Sequence, residues 1–412
     1  MKILLCTYWT IPHIGGVWGY MQQLKKGLEE HGHEVDLMGC GEENNIVHIV
    51  GTDRRVEKQE ILPFLQAKMP PELYPDIYSN KLLEYTEFQR YFFELGAAYL
   101  GLEQYDLIHT QDVISTAGIR RVNTTNVPML ATIHGSVAQE MSQQLQTVHK
   151  SSNSYIVKSY YDELEKIGAT SADLSIVANQ WLKNVLTEDF DVPESQLRVL
   201  HYGFDTENFI KQKQKKVLIE QPPNKKVIVY TGRLVELKGV QYLIQALAKL
   251  KAVRQDWVCW IVGEGEMKKE LQLLSKSLKL ENDVYFLGSQ ESIPSILAKS
   301  HIFVLPSLIE NQPLSLIEAQ LAGKPAIVTN IGGLPEMVEH GVTGLVVEPR
   351  DANGLFESLD ILLSNPILTE MLRRNAKIWG MTHWSYENGF RKLLAVYDEV
   401  ISMRKTGESN VE

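Results

Sequence analysis

Ser307-Leu308-Ile309-Glu310-Asn311-Gln312-Pro313-Leu314-Ser315-Leu316-Ile317-Glu318-Ala319-Gln320-Leu321-Ala322-Gly323 is the stretch from which the fold can be read. Before it, His301-Ile302-Phe303-Val304-Leu305-Pro306 is apolar and partly β-branched, the pattern of a buried parallel strand that ends at its proline. After it, Gly323-Lys324-Pro325 stops a short helix and Ala326-Ile327-Val328-Thr329 opens the next strand. Pro313 suits the first helical turn, where its missing N–H costs nothing, with Asn311 or Gln312 as the expected cap. Leu314, Ile317 and Leu321 then share one face, and Glu318 falls on it at i+4 from Leu314. A carboxylate on a buried stripe needs a partner, because an unpaired buried polar group costs roughly 1–3 kcal/mol. Glu310 lies in the strand-to-helix loop, where open α/β sheets place ligands and where free helix N–H groups suit a phosphate.

Working outward, the same alternation recurs along the chain. Lys226-Val227-Ile228-Val229-Tyr230 is a strand, Thr231-Gly232-Arg233-Leu234-Val235-Glu236-Leu237-Lys238-Gly239 a loop, and Leu243, Leu247 and Leu250 mark a helix. Arg233 and Lys238 flank that loop, two cations placed to hold a diphosphate. Trp257 to Val262 is a strand ending in Gly263-Glu264-Gly265, Val284 to Gly288 is another, and Gly341 to Val347 closes the series. The N-terminal half repeats the architecture without repeating the sequence. Lys2 to Thr7 is a strand, Pro12-His13-Ile14-Gly15-Gly16 a glycine loop, Val17 to Glu30 a helix through Tyr20, Leu24 and Leu28, and His31 to Leu37 the returning strand. Gly15 and Gly16 let backbone N–H groups approach an anion. The Gly-x-Gly-x-x-Gly fingerprint is absent, so a nicotinamide cofactor is not supported.

Strands also read at Asp106 to His109, Pro128 to Gly135, Leu174 to Ala178 and Arg198 to Asp205. His134 closes its strand and should sit at the sheet's carboxyl edge beside the first glycine loop. Residues 41 to 100 lack a clear period up to Pro75 and then give an aromatic helix from Asn80 to Leu100, read as core-facing. The loop before that helix, with Trp9 and Trp18, is the expected acceptor-facing surface. Residues 206–224, with the lysine-rich run Lys211 to Lys216 and Pro222-Pro223, read as a linker between domains 1–205 and 225–384. The tail from Trp384 to Met403 is an amphipathic helix with Phe390, Leu394, Tyr397 and Val400 on one side, fraying beyond Lys405.

Composition bounds the partners. The chain has 412 residues, enough for two α/β domains, and 41 Lys+Arg against 51 Asp+Glu give a net charge of −10. That balance, with no basic stripe or aromatic binding motif, argues against nucleic acid. Net charge does not report distribution, so a local basic face touching anionic lipid remains open as a peripheral membrane contact. Cys6, Cys40 and Cys259 have no metal spacing and read as buried thiols in a reducing compartment. No segment reaches the length of a membrane span or a signal peptide, and the expected location is cytoplasmic.

With Arg233, Lys238, Glu310 and Glu318 in view, the sequence resembles family 4 of the retaining glycosyltransferases, most densely from Val227 to Val347. Pro12 to Val35, Thr132-Ile133-His134-Gly135 and Ser171-Ala172-Asp173 are similar to further family motifs. The resemblance implies an α/β GT-B fold: two facing Rossmann-like parallel-sheet domains with an interdomain cleft, the donor nucleotide held mainly by the second, the acceptor by the first. The final helix, 385–404, would complete the first domain.

The resemblance also assigns roles. Gly15, Gly16, Gly263 and the N–H groups of Leu314 and Ser315 would contact the donor, Arg233 and Lys238 would neutralise the departing diphosphate, and Glu318 would accept from the ribose hydroxyls. Glu310 and His134 would touch the donor sugar and, with Arg233 and Lys238, form the catalytic set. No Asp-x-Asp lies at a strand end, so no metal and no cofactor is expected. The implied reaction moves a sugar from a nucleotide diphosphate sugar, UDP favoured, to an unidentified acceptor hydroxyl with retention, in cell-envelope polysaccharide or glycoconjugate synthesis. A non-hydrolysing nucleotide-sugar epimerase and a non-catalytic coat or sugar-binding protein are the alternatives. The family often has Pro-Asn-Gly where this chain has His201-Tyr202-Gly203, and Ser where it has Asn179, positions expected to bear on hinge geometry.

Overall fold

The computed structural model describes residues 1–13, 15–147, 154–213 and 219–408. The chain divides into two compact units, Met1–Leu200 with Phe390–Glu412, and His201–Gly389.

The described residues of unit 1 form eight strands: β1 (Lys2–Thr10), β2 (Glu34–Cys40), β3 (Ile46–Ile49), β4 (Arg55–Glu57), β5 (Leu107–Thr110), β6 (Met129–Ile133), β7 (Leu174–Val177) and β8 (Leu197–Val199). Their order in the sheet is β4-β3-β2-β1-β5-β6-β7-β8. The run from β2 to β8 across the sheet is parallel, whereas β3 is antiparallel to both of its neighbours, β2 and β4. The edge pair was not legible in the sequence, because strands of four and three residues are too short to show alternation. β1 lies between β2 and β5, so the chain leaves it first to one side and then to the other. That reversal opens a crevice at the carboxyl ends of β1 and β5.

The aromatic helix runs Lys81–Leu100, capped by the Asn80 side chain, which accepts from Leu82 N at 2.9 Å. It is only partly core-facing. Phe92 and Phe93 are fully buried, while Tyr85 and Tyr99 are exposed, because the run of aromatics is longer than one helical face can bury. The last helix, Tyr386–Glu408, starts two residues later than the sequence suggested and packs in unit 1 from Phe390 onward. Tyr397 and Val400 are fully buried, and Leu393 is buried in place of its neighbour Leu394. Tyr397 Oη lies 2.9 Å from His109 Nδ1, Arg404 pairs with Asp173 at 2.6 Å, and Arg198 pairs with Glu399.

The described residues of unit 2 form six strands, all parallel: β9 (Lys226–Thr231), β10 (Trp257–Val262), β11 (Val284–Gly288), β12 (Ile302–Leu305), β13 (Ala326–Thr329) and β14 (Gly344–Val347), in the order β11-β10-β9-β12-β13-β14. β9, β10, β12 and β13 are buried almost throughout, as expected for strands covered on both faces. The reversal of chain direction here falls between β9 and β12.

The expected linker is corrected at its start. Thr206–Gln212 is a helix capped by Asp205, with Phe209 buried in the core of unit 2. A single apolar anchor among polar residues gave no period to read. Lys215 and Lys216 lie outside the described residues.

Candidate active site

The loop after β9 and the loop after β12 meet at the crevice of unit 2. Lys238, at the end of a single 3₁₀ turn, donates to Glu310 Oε1 at 2.5 Å, and Ser307 Oγ donates to the same oxygen at 2.9 Å. Leu308 N donates to Leu237 O at 2.8 Å, tying the two loops through their backbones. Gly239 allows the approach: its φ is +65°, and a Cβ there would sit 2.0 Å from Pro306 O. Glu310 is also held from behind, where Gly333 N donates to its carbonyl at 3.1 Å. Lys238 and Glu310 thus form a largely buried, charge-assisted pair. Arg233 is different. Its side chain is exposed and has no hydrogen bond or ion pair among the described residues, while its carbonyl accepts from Tyr230 Oη at 2.7 Å.

The helix that follows Glu310 is Leu314–Leu321. Pro313 is its cap with extended backbone (ψ 125°), not its first helical residue, and no side-chain hydrogen bond caps it among the described residues. The expectation that Asn311 or Gln312 would do so is corrected, since both precede the cap position. The first N–H groups, those of Leu314 and Ser315, therefore stand at an uncapped helix start. Glu318 lies one turn on. Its carboxyl makes no hydrogen bond or ion pair to any described residue, and burial pushes it up to about 8. The polar partner that a carboxylate on this stripe needs is therefore not supplied by any described residue. Gly263, after β10, packs so close to the 232–239 loop that a Cβ would sit 1.9 Å from Gly232 O.

In unit 1, Gly15 caps the helix Gly16–Glu30, and both glycines are exposed. Ile14 lies outside the described residues. Tyr20, on the second turn of that helix, meets the His134 ring edge to face at 5.2 Å between centroids. His134 Nε2 lies 3.0 Å from Gln111 Oε1, and burial lowers the imidazole to about 3, so it is neutral at physiological pH. Trp9 is exposed and Trp18 half-buried.

Residues not singled out in the sequence support these groups. Gln111 and Asp112 follow β5 at the crevice. Asp112 accepts from Thr7 Oγ1 at 2.8 Å and Tyr8 N at 2.9 Å, and it caps the helix Val113–Val122. Glu165 is fully buried and accepts from Ala138 N at 2.9 Å, just beyond His134. The position of Gln111 and Asp112 directly after a strand is the signal the sequence holds for them. Glu165 is in the middle of a helix and gave none.

Two family models match, one for group 1 glycosyl transferases over residues 211–379 and one for glycosyltransferase family 4 over residues 14–208. The chain belongs to glycosyltransferase family 4. Among curated relatives of this enzyme, an N-acetyl-alpha-D-glucosaminyl L-malate synthase of Bacillus anthracis is 25% identical, with 99% of each chain covered. An MMP alpha-(1->4)-mannosyltransferase of Mycolicibacterium hassiacum is also 25% identical, covering 98% of this glycosyltransferase and 99% of its own length. Of the solved structures, Anabaena HepE in complex with UDP-glucose superposes with a TM-score of 0.68 at 19% identity, covering 97% of this chain and 100% of its own. That neighbour shows the GT-B fold. No group of three or more His, Cys, Asp or Glu side chains is gathered as a metal site among the described residues, and all three cysteines are buried and free.

Proposed function

We propose that this glycosyltransferase moves a hexosyl or N-acetylhexosaminyl group from a nucleotide diphosphate sugar, UDP-linked by preference, to an acceptor hydroxyl, with retention and without a required metal. The observation that carries the reading is the Lys238–Glu310 pair beside the uncapped start of Leu314–Leu321, at the point where the unit 2 sheet reverses. Positive charge from Lys238, Arg233 and the helix N–H groups is what a departing diphosphate needs. In the proposed step the bond from the anomeric carbon to the β-phosphate oxygen breaks, the acceptor oxygen bonds to that carbon, and the hydroxyl proton passes to the departing phosphate.

Glu318, without a protein partner among the described residues, is assigned to the ribose hydroxyls, whose donated hydrogen bonds would offset the cost of its burial. Glu310 keeps one oxygen outside its bonds to Lys238 and Ser307, and that oxygen is assigned to the donor sugar. Neutral His134 is assigned to a sugar hydroxyl, and Gly15 and Gly16 to the phosphates. The names of the two relatives support hexose-type donors, and HepE with UDP-glucose supports a uridine base. The residues of unit 1 that follow β2 are assigned to the acceptor, within cell-envelope polysaccharide or glycoconjugate synthesis.

A thermal-shift screen of nucleotide sugars, followed by mass spectrometry and NMR of products from the best donor, tests this. Transfer with the donor's anomeric configuration kept is the expected result. Conversion of the donor sugar without any acceptor would instead identify an epimerase.

A further inference from the structure

The helix Pro366–His383 of unit 2 has two opposed apolar faces. Leu372, Ala376 and Gly380 are buried, and Gly380 lies against the helix Leu314–Leu321, where a Cβ would come within 3.1 Å of Gln320 Cβ. At about 100° per residue, Ile367, Met371, Arg374, Ile378 and Met381 fall within roughly 80° of arc on the opposite side. Their spacing of four, three, four and three makes them one continuous stripe. The four aliphatic members are open: Ile367 is 84% exposed, Ile378 55%, Met371 44% and Met381 39%. Single exposed aliphatics need no explanation, but four in register on one helix mark an interaction surface. Val342, also exposed, adjoins it, its carbonyl accepting from Asn375 Nδ2 at 2.9 Å.

The flank beside this stripe is cationic. Arg373 and Lys377 project there from the same helix, and the half-buried Lys213 lies close enough to be felt. Burial, then Lys377 and Arg373, lowers the Lys213 ammonium, whereas Lys324 is buried, with its Nζ donating to Ser300 O at 2.7 Å, and adds nothing to that surface. The one acid on that flank of the helix, Glu370, is taken up by Arg373 through two hydrogen bonds of 2.6 Å. Arg374 stands in the middle of the stripe. In a chain of net charge −10, this is a local concentration of positive charge.

Charge decides the occupant. A second copy packed antiparallel on this face would set Arg374 against Arg374, with both lysine flanks brought together, so self-pairing is opposed. A surface of phosphate headgroups over acyl chains matches both features. Aliphatic side chains enter the acyl boundary, and long cationic side chains reach back to the phosphates. We propose that the outer face of Pro366–His383 docks the enzyme on an anionic lipid bilayer. This surface is separate from the residues assigned to transfer, and the proposal does not depend on them.

Flotation of the full-length protein with phosphatidylcholine vesicles, and with vesicles to which phosphatidylglycerol is added, tests it. Binding is expected to the anionic vesicles only, weakened by salt. Arg374→Gln with Lys377→Gln should lower partitioning roughly tenfold or more. Met371→Asn with Ile378→Asn should lower it comparably, and both double variants should keep a cooperative unfolding transition, since all four side chains lie on the exposed face. Absence of binding to anionic vesicles, or binding that both double variants leave unchanged, overturns the proposal. So does a solution dimer that Met371→Asn with Ile378→Asn dissolves, which would assign the face to a second copy.

Discussion

Lys238 and Arg233 share one loop but are held in different ways, and their variants should separate charge from structure. Arg233 is exposed and unpaired among the described residues, so Arg233→Ala should lower kcat/KM by ~10²-fold with the thermal midpoint unmoved. Lys238→Ala should lower activity as much and also destabilise the fold, by about 3–5 kcal/mol if Glu310 stays charged without its partner. Comparing steady-state rates with denaturant unfolding checks both, and equal stability of the two variants would contradict the ion pair. Glu318 gives a pH signature. Its carboxyl titrates near 4.5 when the chain is unfolded and near 8 in the folded protein. Between those values the folded state keeps a proton that the unfolded state has released, so stability is fully present below pH 4.5 and falls as pH rises to about 8. Glu318→Gln should flatten that slope in unfolding curves measured without donor. The same slope in both proteins would show that the carboxyl is not the source.

The loops of unit 2 show why element geometry, and not only residue identity, sets the site. Gly332 has φ +55°, and a Cβ there would sit 1.8 Å from Glu310 O. Gly332→Ala should therefore push the Glu310 loop away from Lys238, at a cost on the order of 1–3 kcal/mol, and raise the donor KM. Calorimetry together with donor titration checks this. The strand-loop-helix pattern around Glu310 was legible because buried parallel strands are nearly continuous apolar runs. The cap was not. Pro313 is compatible with the cap and with the first turn, and the difference lies in a ψ angle that sequence does not encode. The helix Thr206–Gln212 was hidden for a related reason: it buries Phe209 alone, and one anchor makes no period.

At the scale of the molecule, the chain returns to unit 1 through its last helix, which supplies a fully buried tyrosine to a fully buried histidine. His109 Nε2 lies 2.7 Å from Thr132 Oγ1 and its Nδ1 2.9 Å from Tyr397 Oη, so Tyr397→Phe should cost about 1–3 kcal/mol by leaving a buried ring nitrogen unpaired. Ending the chain at Gly389 should go further and unfold unit 1 at lower denaturant, because Phe390, Leu393, Tyr397 and Val400 all leave its core. Denaturant midpoints read by tryptophan fluorescence, with Trp9, Trp18 and Trp181 in unit 1, check both. The sequence by itself determined the alternation of strands and helices, the carboxyl-end loops, and which residue types stand in them, because hydrophobic period and glycine position are local properties. Only tertiary structure decided that Lys238 closes on Glu310 across more than seventy residues of chain, that Glu318 is left without a protein partner among the described residues, and that His134 rests on Tyr20 and Gln111. Those pairings depend on strand order and loop approach, which arise when sheets assemble and are not written in any single stretch.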